Sequence, residues 1–202
     1  GDECPKDRWK TCPKCQARIK KEGLKNEHEL QSWVTKHFAE YLAKKGRRII
    51  GWDEILEGGV PASASVMSWR GAKGGINAAT AGHDVVMTPN TYCYFDYGQF
   101  KEGDKYEYIG GMLPLEKVYG FDPCEGIPKE QWGHVLGGQC NNWSEFTWEA
   151  ADLEWKAFPR TCALAECEWT APAKKDFAEF KARLIPHCAR LKAMGINVAP
   201  VK

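Results

Sequence analysis

The sequence has little excess charge of either sign. Its 28 Lys and Arg residues are balanced by 27 Asp and Glu residues, which gives a formal net charge of +1. Proteins that bind nucleic acid usually carry a clear basic excess, because they neutralise phosphates. We therefore expect no nucleic-acid partner.

Long apolar runs are also lacking. No stretch of 18 apolar residues occurs in the chain, whereas a membrane-spanning helix needs about 20. We therefore expect no membrane span. No signal peptide is visible, which carries little weight because the sequence has the character of one that starts within a domain. Internal repeats and low-complexity linkers are lacking too, and this favours one compact unit.

Nine cysteines form an odd number, so they cannot all pair within the chain. Cys12 and Cys15 have CxxC spacing, with Cys4 nearby, but no fourth ligand follows at a spacing typical of zinc sites. No predicted strand precedes the motif to place it at the start of a helix, as in thioredoxin-like redox proteins. We therefore prefer a local disulfide or packed thiols.

Aromatic residues are abundant. The chain contains 9 Trp, 7 Tyr and 8 Phe, which together make up 12% of its residues. Aromatic rings fill protein cores, and they also pack against the apolar face of a sugar ring. The composition is therefore compatible with a carbohydrate site.

Two amphipathic helices and one short helix are predicted. The first starts at Asn26 and ends at Gly46, and we expect its Trp33 and Tyr41 to lie in the core. The second runs through Phe177 and Leu191. The short helix spans residues 74–81. The apolar positions of the first helix are Leu30, Trp33, Val34, Phe38, Tyr41 and Leu42.

Four short apolar segments predict buried strands. They are RRIIGWDE, SASVMSWRG, HDVVMTPNTYCYFD and HVLGGQCNNWSE. Each ends in polar or aromatic residues. The connection between Trp52 and Trp69 is too short for a full helix, and residues 100–133 are predicted to form a long loop.

Strands that alternate with helices predict a parallel sheet, and polar residues at the carboxyl ends of the strands are typical of a (β/α)8 TIM barrel. Four strands are too few for a complete barrel. We therefore expect an α/β fold in which residues 1–202 form a partial catalytic TIM-barrel domain. The first strands would be missing upstream, and the family resemblance given below implies that the chain runs from the end of strand 4, at Gly1, through helix 8.

Five motifs resemble one family when they are taken in order. GDE (1–3), GWDEIL (51–56), SWRG (68–71), YFD (94–96) and WSE (143–145) are similar to glycoside hydrolase family 20, the β-N-acetylhexosaminidases. GGQCNNWSE and FPR…ALAE also resemble this family, and the Cys-rich CPKDRWKTCPKC resembles its bacterial members. The resemblance implies an exo-acting enzyme that removes terminal β-linked N-acetylglucosamine or N-acetylgalactosamine from glycans.

The family uses a retaining, substrate-assisted mechanism without a cofactor or metal, in which the 2-acetamido oxygen of the substrate attacks C1 and an oxazolinium ion forms. By resemblance, Glu3 is the general acid and then the base for water. Asp2 would hold the acetamido N–H. Adjacent residues of a strand point to opposite faces, so both can serve one pocket only if the strand ends or twists near Gly1.

The resemblance also assigns the substrate-binding residues. Trp52, Trp69 and Trp143 would form an aromatic box around the N-acetyl group and the sugar ring. Tyr94 would donate its hydroxyl to the acetamido carbonyl, while Asp96 and Glu145 would bind ring hydroxyls. We interpret four further residues as structural, namely Asp53 and Glu54, as partners in salt bridges between strand ends, and Arg70 and His83.

Two alternatives remain open. One is a non-catalytic carbohydrate-binding module of the same fold, and the other is a zinc-stabilised interaction domain around Cys4, Cys12 and Cys15. The family also implies a secreted or periplasmic location. Because half a barrel exposes strand edges, we expect this chain to be unstable or to self-associate without the missing N-terminal half.

Overall fold

The chain folds into two compact units in a computed structural model that describes residues 2–202. The first unit comprises the chain up to Met87 together with Gly126–Leu136, and the second comprises Thr88–Glu125 together with Gly137–Lys202. The expected strand that ends at Gly1 lies outside the described residues. That residues 1–202 form a single partial barrel domain stays a prediction.

The first unit contains three complete strands of a parallel sheet, β1, β2 and β3. Strands β1, β2, β3 and β4 lie in the order β1-β2-β3-β4, and β2 pairs in parallel with both β1 and β3. These strands confirm the four predicted segments. Their bounds are β1 (Ile50–Trp52), β2 (Ser65–Ser68), β3 (Val85–Met87) and β4 (Val135–Gly138), and the helices are α1 (Lys6–Thr11), α2 (Pro13–Lys21), α3 (Glu27–Ala43) and α4 (Lys73–Thr80).

The core of this unit lies between α4 and the sheet. Val66, Val85 and Ala78 are completely buried. The short helix predicted over residues 74–81 is confirmed by α4, and it stops before Gly82, whose φ of +87° favours glycine. The connection between β1 and β2 is reduced to a 3-10 helix, Asp53–Leu56, as its length predicted.

Helix α3 begins where its cap predicts. The Asn26 side chain accepts a hydrogen bond from the Glu29 backbone N–H at 3.1 Å, and the Glu29 carboxylate accepts one from the Lys25 N–H at 2.8 Å. The prediction that Tyr41 lies in the core is wrong, since 54% of this residue is exposed. Periodicity identifies an apolar helix face, but it does not show whether another element covers that face.

The CxxC motif lies at the start of a helix, contrary to the prediction. Cys12 is the N-cap of α2, which follows another helix, α1, instead of a strand. Cys12 and Cys15 are both free thiols, so of the two expected arrangements the structure shows thiols at this motif.

The second unit is largely helical. Helices α6 and α8 pack together, with Val118 and Ala163 completely buried, and α9 adds Phe180 and Leu184 to the core. Helix α9 confirms the predicted C-terminal helix. The bounds are α5 (Asn90–Cys93), α6 (Leu115–Tyr119), α7 (Ala150–Ala157), α8 (Arg160–Trp169) and α9 (Phe177–Ala193), with 3-10 helices at Ser144–Phe146 and Pro172–Lys174.

Two predicted boundaries differ from the structure. Strand β3 ends at Met87 instead of continuing towards Asp96, because Pro89 has no N–H to donate to a sheet. The predicted loop over residues 100–133 contains helix α6 and part of a 3-10 helix, Lys129–His134. Within residues 2–202, no helix combines the length and hydropathy that a membrane span requires.

Candidate active site

The predicted catalytic pair lies just before the first helix. Asp2 and Glu3 are both exposed, and α1 begins three residues after Glu3, at Lys6. Glu3 has a φ of +48°, which places it in the left-handed region, and within residues 2–202 it is the one non-glycine residue with a positive φ. Such a conformation costs free energy for a residue with a Cβ, and it is found more often at functional sites.

The backbone conformation of Glu3 affects whether the adjacent side chains of Asp2 and Glu3 can both reach one substrate. A regular strand would direct Asp2 and Glu3 to opposite faces. The left-handed conformation of Glu3 breaks the extended repeat at that point, so strict alternation does not apply to the pair. The expected end or twist of the strand at Gly1 lies outside the described residues.

Two of the predicted box tryptophans lie at strand ends in the first unit. Trp52 is the last residue of β1, and Trp69 directly follows β2; both are half-buried. The Trp69 indole N–H donates to the Glu54 carboxylate at 2.8 Å, and its backbone N–H donates to Asp53 Oδ2 at 2.9 Å. The two buried carboxylates therefore hold Trp69 in position through both its backbone and its ring.

Arg70 completes this network and is structural, as predicted. Its guanidinium lies 2.5 Å from Asp53 Oδ1 and 2.8 Å from Glu57 Oε1. Burial tends to lower the pKa of Arg70, but its hydrogen bonds to Glu57 and Asp53 leave that pKa above the usual value. The predicted role of Asp53 and Glu54 in salt bridges between strand ends is confirmed. His83 hydrogen-bonds the Ala64 carbonyl oxygen at 3.2 Å, which agrees with its structural interpretation.

Tyr94 and Trp143 come together in the second unit. Their ring centroids are 6.3 Å apart, with Tyr94 buried and Trp143 39% exposed. Backbone pairing between Tyr94 and Asn141 brings the two segments into contact, and Phe95 N–H donates to the Asn141 carbonyl at 2.6 Å. Burial raises the pKa of Tyr94 to about 12, although hydrogen bonds with the side chains of Trp143 and Asn141 lower it. Tyr94 therefore keeps its phenolic proton at neutral pH and can donate it in a hydrogen bond.

Asp96 is a buried carboxylate in the same segment. Only 2% of Asp96 is exposed, and its Oδ1 has no hydrogen-bond partner among the residues that the structure describes. Burial raises the pKa of Asp96 to about 6, and the negative charge of Glu145 adds to this, while hydrogen bonds from backbone N–H groups and the charge of Arg160 oppose it. A buried acceptor without a donor is costly, so this oxygen is suited to receive a hydroxyl from a ligand.

Glu145 lies near Asp96, on the segment after β4 that pairs with the segment of Tyr94. It is exposed, in the 3-10 helix Ser144–Phe146 that follows Trp143. The structure thus brings four of the predicted site residues together in the second unit. They are Tyr94, Asp96, Trp143 and Glu145.

Arg160 supports the segment around Asp96, and no sequence motif predicted a role for it. It is completely buried at the start of α8. Its guanidinium donates to the carbonyl oxygens of Phe95 and Tyr97, on either side of Asp96, and to that of Leu113 at 3.0 Å. The guanidinium carbon also lies 4.8 Å from the centre of the Phe95 ring.

Asn141 is a second residue at this site whose role the sequence motifs did not predict. Its amide donates to Thr88 Oγ1 at 2.7 Å and hydrogen-bonds Tyr94. Its position after β4, two residues before Trp143, could have indicated that Asn141 lies at the site. Arg160 carried a weaker signal, because a lone Arg in FPR does not reveal that it will be buried. Within residues 2–202, no group of three or more His, Cys, Asp or Glu side chains is arranged to hold a metal ion.

Comparison with models of protein families identifies a match over most of the chain. The model of the glycosyl hydrolase family 20 catalytic domain matches residues 1–172. The chain therefore belongs to glycosyl hydrolase family 20, a family of glycoside hydrolases. Its solved structures are TIM barrels, and the predicted fold class is confirmed, with this chain forming a portion of the domain.

Individual relatives agree with this assignment. A β-hexosaminidase from Porphyromonas gingivalis is 50% identical over 199 residues, which cover 98% of this chain and 26% of that protein. An exo β-N-acetylglucosaminidase from Vibrio harveyi, solved in complex with N-acetylglucosamine, aligns with a TM-score of 0.87 at 30% identity and covers 98% of this chain and 32% of that one. A β-N-acetylhexosaminidase from Bacteroides fragilis aligns with a TM-score of 0.81 at 27% identity, covering 98% of this chain and 41% of that one. The chain thus spans between about a quarter and two fifths of the length of these relatives.

Proposed function

We propose that this chain contributes to an exo-acting β-N-acetylhexosaminidase that removes terminal β-linked N-acetylglucosamine or N-acetylgalactosamine from glycans. The observation that carries the proposal is that one segment contains both a buried hydrogen-bond acceptor, Asp96, and a protonated hydrogen-bond donor, Tyr94. Asp96 offers an unpaired carboxylate oxygen, and Tyr94 keeps a hydroxyl proton. A terminal N-acetylhexosamine supplies the matching groups, namely ring hydroxyls and an acetamido carbonyl.

The reaction would be retaining and substrate-assisted. Glu3 donates its proton to the glycosidic oxygen while the bond between that oxygen and C1 breaks. The acetamido oxygen forms a new bond to C1, which gives the oxazolinium ion. Water then attacks C1, the bond between C1 and the acetamido oxygen breaks, and the water gives its proton to Glu3, which is restored as the acid. Two inversions at C1 leave the configuration of the sugar unchanged.

The other residues would position the substrate. Asp2 accepts the acetamido N–H and stabilises the positive charge of the intermediate, and Tyr94 donates to the acetamido carbonyl. Trp52, Trp69 and Trp143 would hold the acetamide and the ring, which raises the rate through positioning. Asp96 and Glu145 would select the hydroxyls of the terminal sugar.

Two further proposals follow from the family alone. The protein would act in a secreted or periplasmic location, where its glycan substrates are found. The upstream half of the barrel would complete the catalytic domain.

The test compares two aryl β-glycosides that differ at C2, one with an acetamido group and one with a hydroxyl. We expect cleavage of the acetamido sugar only, because the hydroxyl sugar lacks the internal nucleophile. Cleavage of both would show that the enzyme supplies the nucleophile, and the roles of Asp2 and Tyr94 would be wrong. If neither is cleaved, the same assay is repeated on a chain extended upstream. Cleavage by the extended chain would show that the missing half of the barrel is required, and no cleavage would show that the proposed activity is wrong.

A Glu3→Gln variant separates an enzyme from a binding module. In an enzyme, the variant should lose about 10²–10⁴-fold in turnover while still binding N-acetylglucosamine. Glu179→Gln on the exposed surface of α9 is the matched control and should retain full activity. Sugar binding by the extended wild-type chain without any turnover would instead indicate a carbohydrate-binding module.

A further inference from the structure

The segment that carries Trp143 and Glu145 has little regular structure of its own. It forms one short 3-10 helix, Ser144–Phe146, which directly follows Trp143. The Thr147 N–H closes this turn by donating to the Ser144 carbonyl oxygen at 3.2 Å. Because hydrogen-bond geometry in 3-10 helices is poor, the position of Glu145 depends on support from outside the turn.

Helix α7 supplies this support through the side chain of Lys156. Lys156 is almost completely buried, and its ammonium group donates to the Phe146 carbonyl oxygen and, at 3.2 Å, to Thr147 Oγ1. The Thr147 hydroxyl in turn donates to the Trp143 carbonyl oxygen at 3.3 Å. It also accepts from Asn142 Nδ2 at 3.0 Å, which uses its remaining capacity. Lys156 thereby holds the backbone at both ends of the 3-10 helix, one end directly and the other through Thr147.

Asp152 orients the ammonium group of Lys156. It lies one turn earlier on α7, is 1% exposed, and places its Oδ1 2.8 Å from Lys156 Nζ. Its Oδ2 accepts from the Trp148 N–H at 3.2 Å, so Asp152 also fixes the chain just after the 3-10 helix. The three ammonium protons thus match three oxygen atoms, those of Asp152, Phe146 and Thr147. A buried ion pair adds little stability relative to apolar side chains of similar size, so stability alone does not account for these charges.

The backbone of Lys156 also takes part in holding the second segment of the site. Its carbonyl oxygen accepts from Arg160 Nε at 3.1 Å and from Arg160 Nη2 at 2.7 Å. Arg160 also donates to the carbonyl oxygens of Phe95 and Tyr97, which flank Asp96. The hydrogen bonds that hold the two sugar-binding segments therefore meet at Lys156.

We propose that Lys156, oriented by Asp152, is a positioning residue that holds Trp143 and Glu145 in the arrangement that binds the terminal sugar. This inference rests on the proposed hexosaminidase activity, in which Trp143 and Glu145 contact the sugar. Lys156 acts through the backbone of that segment and not through the substrate. Its removal should therefore weaken sugar binding without removing a catalytic group.

The test uses the chain extended upstream, with the variant Lys156→Met and the double variant Lys156→Met with Asp152→Asn. The double variant removes both buried charges, so it avoids an unpaired carboxylate that could prevent folding. We expect both variants to raise KM for the aryl acetamido glycoside, with kcat/KM falling by up to about 100-fold and kcat changing much less. A merely structural role predicts a different result, because partial unfolding reduces the amount of active enzyme and lowers kcat at an unchanged KM.

Lys175→Met is the matched control. Lys175 Nζ also donates to two backbone carbonyl oxygens, those of Tyr119 and Phe121, both at 2.8 Å, but neither lies in the segment of Glu145. KM should be unchanged in this variant. A double-mutant cycle adds a second readout, since the effect of Lys156→Met on KM should become much smaller in a Glu145→Ala background.

Hydrogen exchange of backbone amides, followed by mass spectrometry, tests the support of this segment without any substrate. Peptides that cover residues 143–149 should exchange faster in Lys156→Met than in the wild type, and at the wild-type rate in Lys175→Met. Unchanged exchange in this segment, a fall in kcat at constant KM, or an equal effect on KM with and without Glu145 would each overturn the proposal. Faster exchange in a protein whose wild type cleaves no acetamido sugar would support the anchoring by Lys156 and overturn the proposed activity instead.

Discussion

At the scale of single residues, Arg160 is the largest completely buried side chain. Burial lowers the pKa of Arg160 to about 9, so it remains charged at neutral pH. We expect Arg160→Met to lower the free energy of unfolding by roughly 3 kcal/mol or more. The reason is that buried carbonyl oxygens, including those of Phe95 and Leu113, would lose their donors at about 1–3 kcal/mol each.

Equilibrium unfolding in urea measures this loss. Arg183→Met is the matched control, because Arg183 pairs with Glu166 on the exposed surface of α9 and α8. The control should change stability only slightly. Equal losses for the two variants would contradict the supporting role of Arg160.

Asp96 provides a prediction about pH. Its pKa of about 6 in the folded chain is above the ordinary value of 3.8, so folding disfavours the ionised form. The contribution of Asp96 to stability is therefore fully present below about pH 4 and is lost as the pH rises through 6. The total loss is about 3 kcal/mol.

The measurement is the difference in unfolding free energy between the wild type and Asp96→Asn, followed from pH 4 to pH 7. This difference isolates Asp96 from the other carboxylates that titrate in the same range. The wild type should lose stability relative to the variant as the pH increases. A flat difference would show that Asp96 ionises without cost, and its suitability as a buried hydroxyl acceptor would be in doubt.

At the scale of elements, the contact between α4 and the sheet depends on a glycine. A Cβ on Gly75 would lie 2.3 Å from Met87 Sδ and 3.0 Å from Ser68 Cβ. Met87 and Ser68 are both buried, so the sheet has little room to adjust. We expect Gly75→Ala to destabilise the protein by about 1–3 kcal/mol through overpacking, despite the better helix propensity of alanine.

Thermal and urea unfolding both report this change. Gly133→Ala is the matched control, because no atom lies within 4 Å of the Cβ that it would add. If Gly75→Ala were as stable as Gly133→Ala, the close approach of α4 to β2 and β3 would not be a constraint on the sequence.

Elements with a clear local pattern were predicted well, and helices without such a pattern were not. Helix α3 has both an apolar stripe and a capping residue, and β1 to β4 each have an apolar run ending in polar residues. Helices α1 and α2 have six and nine residues, too few for periodicity to be read with certainty. Their existence depends on packing against α3 rather than on a local pattern.

At the scale of the whole molecule, apolar surface remains exposed to solvent. Val34, Phe38 and Tyr41 are between 39% and 56% exposed on α3, and β1 is an edge strand with Ile50 52% exposed. Exposed apolar faces and unpaired strand edges both promote association. We expect the 202-residue chain on its own to self-associate or to unfold readily.

Analytical ultracentrifugation over a range of concentrations, together with thermal unfolding, checks this expectation. Phe38→Glu should reduce association, and Leu153→Glu, at an exposed apolar position on α7, is the control. A soluble monomer with a cooperative transition at all concentrations would contradict the prediction.

The sequence by itself determined the family, the parallel order of strands and helices, and the residue types expected at the site. These features depend on local patterns and on motifs whose order along the chain can be read directly. The tertiary structure alone decided which side chains are buried and what they contact. The position of Arg160 beside the Asp96 segment and the exposed face of α3 both depend on segments distant in sequence, and neither burial nor long-range contact is encoded in local periodicity.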